Sequence, residues 1–274
     1  MRGPLPEQLI ERYLRALEVT RRAPSADALA ELVAAQVMRV PFENVSKLYR
    51  KKRLGLTGLP SIEQFLEGIE QYHFGGTCYS NNFHFYTLLA SLGYRVKLCG
   101  ADMTNPDVHM AIMVEVDGHE YLVDGGYAAP FLSPLPRDLT EDYVTALGRD
   151  RYVLKPQDAA GCSRLEMYRD GVVKHGYLAK PVPKKIEDFG GIIADSFRAD
   201  ATFLNALLLA RFYRDRSVVI HNLTLIESRG TEATIRSLGN REELVVEVEQ
   251  QFSIPQAVVG EAVSELHELV DAWA

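Results

Sequence analysis

One dipeptide, Asp117-Gly118, constrains this chain more than any other feature, because it stands between two β-rich runs, His109 to Val116 and His119 to Asp124. Asp-Gly is the preferred centre of a two-residue type I′ turn, in which both central residues take positive φ, and such a turn fixes the register of its hairpin. Val116 then faces His119, Val114 faces Tyr121, Ile112 faces Val123 and Ala111 faces Asp124. One further pair sets His109 opposite Gly126, so that His109 and Asp124 become diagonal neighbours on one sheet face, within reach of each other. A bulge would place them on opposite faces, so the inference requires a regular ladder. The side chains between them, Ala111 and Leu122, are apolar, and a carboxylate buried there without a partner would be costly. Asp124 is therefore expected to hold His109, fixing the tautomer that leaves the other ring nitrogen free to accept a proton.

A candidate source of that proton lies upstream. Gly75-Gly76-Thr77-Cys78 runs into Tyr79 to Leu92, which reads as a helix closed by Gly93, so Cys78 sits at a helix amino terminus. Unpaired N–H groups and the positive end of the helix dipole favour a thiolate there and can stabilise an oxyanion. The two glycines clear the approach of a carbonyl to the sulfur. Cys78 could instead be a small buried hydrophobe, the common state of intracellular cysteines, and His109 and Asp124 could be a strand-start histidine and a turn residue. Their joint register downstream of a helix-starting cysteine favours a Cys78-His109-Asp124 triad. Cys99 and Cys162 lack such context, and His73, Cys78 and His84 match no usual zinc spacing. His119 and His267 read as solvent-facing; His73, His84, His175 and His221 have no acid in evident register.

Around this core the hydrophobic period changes twice. Apolar residues recur at helical spacing from Pro6 to about Leu92: Leu9, Tyr13, Leu14 and Leu17, then Leu29, Leu32, Val33 and Val37, then Ile62, Phe65, Leu66 and Ile69. Ser25 and Ser61 stand at N-cap positions, and Pro41 and Leu56 to Pro60 mark breaks. Short β runs follow from Tyr94 to about Ile186. The last part reads as a helix around Phe203 to Tyr213, strands at Ser217 to Ile226 and Leu244 to Val248, and a closing helix from Pro255 to Trp273. Lys180 to Lys185 reads as a solvated linker. The expected division is 1–92, 93–186 and 187–274, the first carrying the nucleophile and the second the histidine and aspartate.

At 274 residues, with 47% hydrophobic and 24% charged residues, the chain can bury a sizeable core. A net charge of −7 and a pI near 5.6 argue against nucleic acid as a partner. Three scattered cysteines suit a reducing cytoplasm; no membrane span or signal peptide is read, and no metal is expected.

The chain resembles the arylamine N-acetyltransferases of bacteria, as a divergent member. The matching blocks are Arg39-Val40-Pro41-Phe42-Glu43-Asn44-Val45, Gly75-Gly76-Thr77-Cys78 with Asn82, Leu92-Gly93-Tyr94, and His109 followed by Asp124-Gly125-Gly126-Tyr127; Asp195-Ser196-Phe197 adds a weaker match. This resemblance implies an α+β fold of helical bundle, β-barrel and α/β lid with a cysteine-protease-like Cys-His-Asp core. It also implies that acetyl-CoA, or another acyl-CoA, acylates Cys78 and that an arylamine, hydrazine or other small amine accepts the acyl group, a ping-pong cycle. Phe42 and Tyr127 would wall the acceptor pocket, with Asn105 and Pro106 near the pantetheine arm. Phe74 and Ser80 replace the family's usual Arg and Glu, and Ala16, beside Arg15, stands where an early Arg is usual, which removes the customary partners of Glu43. Three other readings stay open: an amide synthase using a carrier-bound acyl donor, a cysteine amidase or hydrolase, and a non-catalytic binding protein. The oligomeric state is left open as well.

Overall fold

The computed structural model describes residues 4–266 and 269. Helices α1 (Glu7–Leu17), α2 (Ala26–Arg39), α3 (Val45–Leu54), α4 (Ile62–Tyr72) and α5 (Cys78–Ser91) come first, with a two-residue strand β1 (Phe42–Glu43) between α2 and α3. The apolar spacing is the buried face: Tyr13, Leu14 and Leu17 meet Leu29, Leu32, Phe65, Leu66, Phe85, Leu88 and Leu89 in one core. Ser25 Oγ accepts from the Ala28 N–H at 3.2 Å, and Ser61 and Gln64 form a reciprocal capping box. Each such cap is worth about 1 kcal/mol. Gly93, at φ +93, ends the helix that Cys78 begins.

Strands β2 (Arg95–Asp102), β3 (His109–Val116), β4 (His119–Val123), β5 (Leu135–Pro136), β6 (Tyr143–Leu147), β7 (Asp150–Leu154), β8 (Ser163–Arg169) and β9 (Val172–Pro183) form an antiparallel sheet in the order β5-β4-β3-β2-β9-β8-β7-β6, rolled into a nearly closed barrel. Asp117 (φ +54) and Gly118 (φ +81) make the expected turn, and Val116↔His119, Val114↔Tyr121 and Ile112↔Val123 pair as the dipeptide requires. Both faces of β3 are buried. Ile112 and Val114 enter the helical core, whereas Ala111 and Met113 join Leu122 and Tyr177 inside the barrel. His109 and Asp124 share the parity of Ala111 and Leu122, so the strand alternation aims both at the barrel interior.

Lys180 to Lys185 is not a solvated linker. Strand β9 runs through Pro183, and Lys180 pairs with Asp102 at the end of β2 and Lys184 with Asp107 on the β2–β3 loop. Strand pairing supplied by β2 and β8 overrides the Pro-rich composition that suggested a linker.

A 3-10 turn (Ile186–Phe189) and α6 (Gly190–Asp195) lead to a second antiparallel sheet of β10 (Leu208–Phe212), β11 (Arg216–His221), β12 (Thr224–Arg229) and β13 (Glu232–Ser237), covered by α7 (Arg241–Phe252) and α8 (Gln256–Val263). β1 is its edge strand, in the order β1-β10-β11-β12-β13. Two expectations fail here. Phe203 to Tyr213 is not a helix: only a 3-10 turn (Thr202–Leu204) precedes β10. Leu209, Ala210 and Phe212 are all buried, so no alternation marks the strand, and β1 and β11 take its backbone groups on either side. Leu244 to Val248 is not a strand but part of α7, whose buried stripe is Leu244, Val248 and Phe252; Asn240 caps it at 2.8 Å, and packing outweighs the β preference of the valines. Of the closing helix, α8 covers Gln256–Val263, and Trp273 and His267 lie outside the described residues. Among the described residues no helix is long and apolar enough to cross a membrane.

Candidate active site

The α5 start is seated by the segment that precedes α3. Gly75 N–H donates to Glu43 Oε1 at 3.0 Å, Glu43 N–H to the Gly76 carbonyl at 3.1 Å, and Gly76 N–H to the Pro41 carbonyl at 3.3 Å. A Cβ on Gly75 would lie 1.9 Å from the Pro41 oxygen, so this glycine is required by backbone packing, a role beyond clearing the sulfur. Thr77 is the N-cap residue and Cys78, half-buried, opens the helix.

His109 and Asp124, 2% and 1% exposed, meet beside it: His109 Nε2 lies 2.7 Å from Asp124 Oδ2. Asp124 Oδ1 accepts from Asn82 Nδ2 at 2.7 Å and from the N–H groups of Gly126 (3.1 Å) and Tyr127 (3.0 Å). The β3–β4 ladder stops at Ile112↔Val123, and the chain then turns so that Asp124 bonds its own following N–H groups instead of extending to a His109↔Gly126 pair. Burial alone would push the His109 imidazole toward neutrality, but the Asp124 carboxylate and the neighbouring Cys78 reverse this and raise its pKa above the ordinary value. Burial likewise opposes the Asp124 charge, yet His109, Asn82 and the nearby Tyr177 hydroxyl hold its pKa below the carboxylate norm. With Nε2 committed to Asp124, Nδ1 is the nitrogen left for Cys78.

Gly126 allows this assembly to close. A Cβ there would fall 2.7 Å from the Cys78 carbonyl oxygen and 2.9 Å from its Cα, both backbone atoms with no room to move. Gly126→Val is expected to push the α5 start away from the barrel and to lower Cys78 alkylation by iodoacetamide about 100-fold, the scale of a 1 Å misplacement. Circular dichroism would confirm a retained fold; an unchanged alkylation rate would refute the close approach.

The structure brings Cys78, His109 and Asp124 together, with Tyr127 beside them: its ring meets His109 edge-on at 5.5 Å and stacks on Phe131 at 6.1 Å. Phe42 lies in β1, edge-on to Phe203 at 5.6 Å. Asn105 and Pro106 are on the exposed tip of the β2–β3 loop, and the Tyr79 hydroxyl ties that loop to α5 by donating to the Asp107 carbonyl at 2.6 Å. Glu43 retains partners despite Phe74 and Ser80: Oε2 accepts from the Ser46 N–H at 2.8 Å, and the buried Arg50 acts on its charge from α3. Arg50 sits over the Phe74 ring at 5.4 Å, in space left by Gly68.

Sequence reasoning did not assign roles to Asn82, Tyr177 or His175. Asn82 was findable, since i and i+4 on one helix put it on the face of Cys78; it bridges Asp124 and the Met110 carbonyl, each at 2.7 Å. Tyr177 packs on His109 at 4.9 Å, and His175, read as lacking an evident acid, hydrogen-bonds the Tyr127 hydroxyl. Both come from β9, whose register against β2 shifts between Cys99 and Ala101, leaving no local signal. His119 is exposed, as expected, and pairs with Asp138 at 2.8 Å. No group of three or more metal-ligating side chains occurs among the described residues.

A family model described as N-acetyltransferase matches residues 25–258. Arylamine N-acetyltransferase 2 of Mus musculus is 26% identical over 141 residues, 48% of this chain, and the match spans only 47% of that relative. Proansamycin X synthase of Amycolatopsis mediterranei is 26% identical over 187 residues, 64% of this chain and 70% of that protein. The arylamine N-acetyltransferase of Mycobacterium marinum, solved in complex with CoA, superposes with a TM-score of 0.78 at 22% identity, covering 93% of this chain and 97% of that one. The family match over residues 25–258 defines the class, an N-acetyltransferase enzyme. Within that class the chain belongs to the arylamine N-acetyltransferase family.

Proposed function

We propose that this protein transfers an acetyl or similar acyl group from acyl-CoA to a small arylamine, hydrazine or other amine through a thioester on Cys78. The observation that carries this reading is the buried His109–Asp124 pair at 2.7 Å, directed at a cysteine that begins a helix. His109 Nδ1 takes the thiol proton, and the thiolate attacks the donor carbonyl while first-turn N–H groups of α5 receive the oxyanion. The CoA thiolate leaves and is protonated by His109. The amine then attacks the acyl-cysteine, His109 accepts its proton, and collapse releases the amide and restores Cys78. Asp124 keeps the imidazole in the required tautomer throughout. Family membership and the CoA complex of the Mycobacterium marinum relative support acyl-CoA as donor. The exposed Asn105 and Pro106 would border its pantetheine arm, and Phe42 and Tyr127 the acceptor. The divisions at 92 and 186 separate the nucleophile, its base and acid, and the lid.

Rapid mixing with a panel of acyl-CoA thioesters is expected to release one equivalent of CoA and leave one acyl group on Cys78 by intact mass. No adduct with any thioester would sink the proposal. A second reading, an amide synthase fed by a carrier-bound acyl group, is favoured by the match to Proansamycin X synthase, which covers more of this chain than the mouse relative does. An adduct from acyl-carrier thioesters and none from acyl-CoA would select it. If the acyl-enzyme decays equally fast with and without amine, the protein is a hydrolase.

A further inference from the structure

Behind the nucleophile lies a cavity of about 30 Å³ whose wall includes Lys47, Arg50, Thr77, Ser80 and Phe197. Ser80 is two residues beyond Cys78, about 200° round the helix, so it faces away from the catalytic side. It is 6% exposed, and its hydroxyl has no hydrogen-bond partner among the described residues. The Lys47 ammonium donates to the Ser196 carbonyl and, at 2.8 Å, to the Ser196 hydroxyl, and lies 4.1 Å over the Phe197 ring. Among the described residues no carboxylate is in ion-pair contact with it. Arg50, also 6% exposed, donates to the Gln64 carbonyl at 2.8 Å and likewise has no carboxylate in ion-pair contact among these residues. Glu43, the nearby buried acid, has its two oxygens occupied by the Gly75 and Ser46 N–H groups.

A half-buried ammonium and, at the wall, a buried guanidinium that acts on Glu43 without contacting it therefore converge with an unpartnered hydroxyl and the N-terminal turn of a 14-residue helix on one small space. Every one of these groups can donate to or attract negative charge. The geometry points to a binding site for a small monoanion, a halide or a carboxylate of formate size, held by Lys47 Nζ and Ser80 Oγ behind the α5 N-terminal turn. Burial lowers the Lys47 pKa to about 8, against the opposing pull of Cys78. An anion there would add negative charge behind Cys78, so it would oppose the thiolate as well as stabilise the fold.

The test is thermal unfolding of the full chain in formate, chloride or gluconate at constant ionic strength, with Lys47→Met and Ser80→Glu alongside. Gluconate is the size control, being a carboxylate too large for the cavity. Wild type is expected to show a saturable rise in Tm with formate, with chloride or with both, none with gluconate, and a several-fold slower reaction with iodoacetamide at saturation. A formate-only response would make the site one for carboxylates, and a chloride-only response one for halides. Lys47→Met should lose the response, and Ser80→Glu, which brings its own carboxylate, should show a raised Tm without added anion and no further rise. No saturable effect in wild type, an equal effect of gluconate, or a wild-type response in Lys47→Met would overturn the site. If Ser80→Glu fails to fold, Lys47→Met decides the matter.

Discussion

Cys78→Ala is expected to abolish covalent acyl capture and to lower acyl transfer roughly 10⁶-fold, the loss found when the nucleophile is deleted from a triad that works as a unit. With the sulfur gone, the amine would have to attack the donor thioester directly, without the intermediate that divides one difficult step into two. What remains is approximation of the substrates and whatever the α5 N-terminus offers an oxyanion. On the proposed mechanism the three groups act as a unit, so Cys78→Ala with His109→Ala should be little worse than Cys78→Ala alone. The fold should persist, since Cys78 is small and only half-buried, and a stability change within roughly 1 kcal/mol is expected. Stopped-flow measurement of the CoA burst, with intact mass, checks both halves. A variant retaining turnover within tenfold of wild type would remove Cys78 from the mechanism.

The second large effect belongs to Asp124→Asn, expected to cost about 10⁴-fold in turnover. In the native site Oδ1 is saturated by Asn82, Gly126 and Tyr127, and Oδ2 accepts from His109. The three donors would keep the asparagine oxygen on their side, which turns its NH₂ toward His109 Nε2. That nitrogen must then accept, the ring proton moves to Nδ1, and the atom facing Cys78 can no longer take a proton. The same substitution should alter the pH dependence of stability. His109 is raised above 6.5 in the fold, so its contribution is complete below pH 6.5 and is lost as pH rises through the raised value. Asp124 is held below 3.8, so its contribution is present above 3.8 and is lost as pH falls through the depressed value. The pair therefore stabilises most between 3.8 and 6.5. Urea unfolding from pH 6 to pH 9 should show a decline in wild type that is flatter in Asp124→Asn. Equal slopes would mean that another group sustains the His109 charge.

Legibility followed the range of the interactions. Asp117-Gly118 set a turn whose register carries Ala111, Met113 and Leu122 into the barrel, and Ser25, Ser61 and Gly93 marked helix ends that the chain adopts. Each depends on a few adjacent residues whose φ preferences or side-chain hydrogen bonds act locally. The same locality made Cys78, His109 and Asp124 readable before any coordinates, since one is a helix start and the other two belong to one hairpin.

Where the deciding partner is remote, the residues misled. Lys180 to Lys185 has the composition of a linker but is held by β2, β8 and two acids some eighty positions earlier. Leu208–Phe212 shows no alternation because it is covered on both faces, and β1, more than 160 positions away, completes its sheet. Tyr177 and His175 reach the site only through the irregular register of β9. The amino-acid sequence by itself determined the hairpin, the helix caps and the candidate triad; tertiary structure alone decided what buries that triad, what compensates Phe74 and Ser80, and what lies behind Cys78. The reason is that turn and cap energies are written in neighbouring residues, whereas burial and strand pairing are properties of the surfaces that distant segments present to one another.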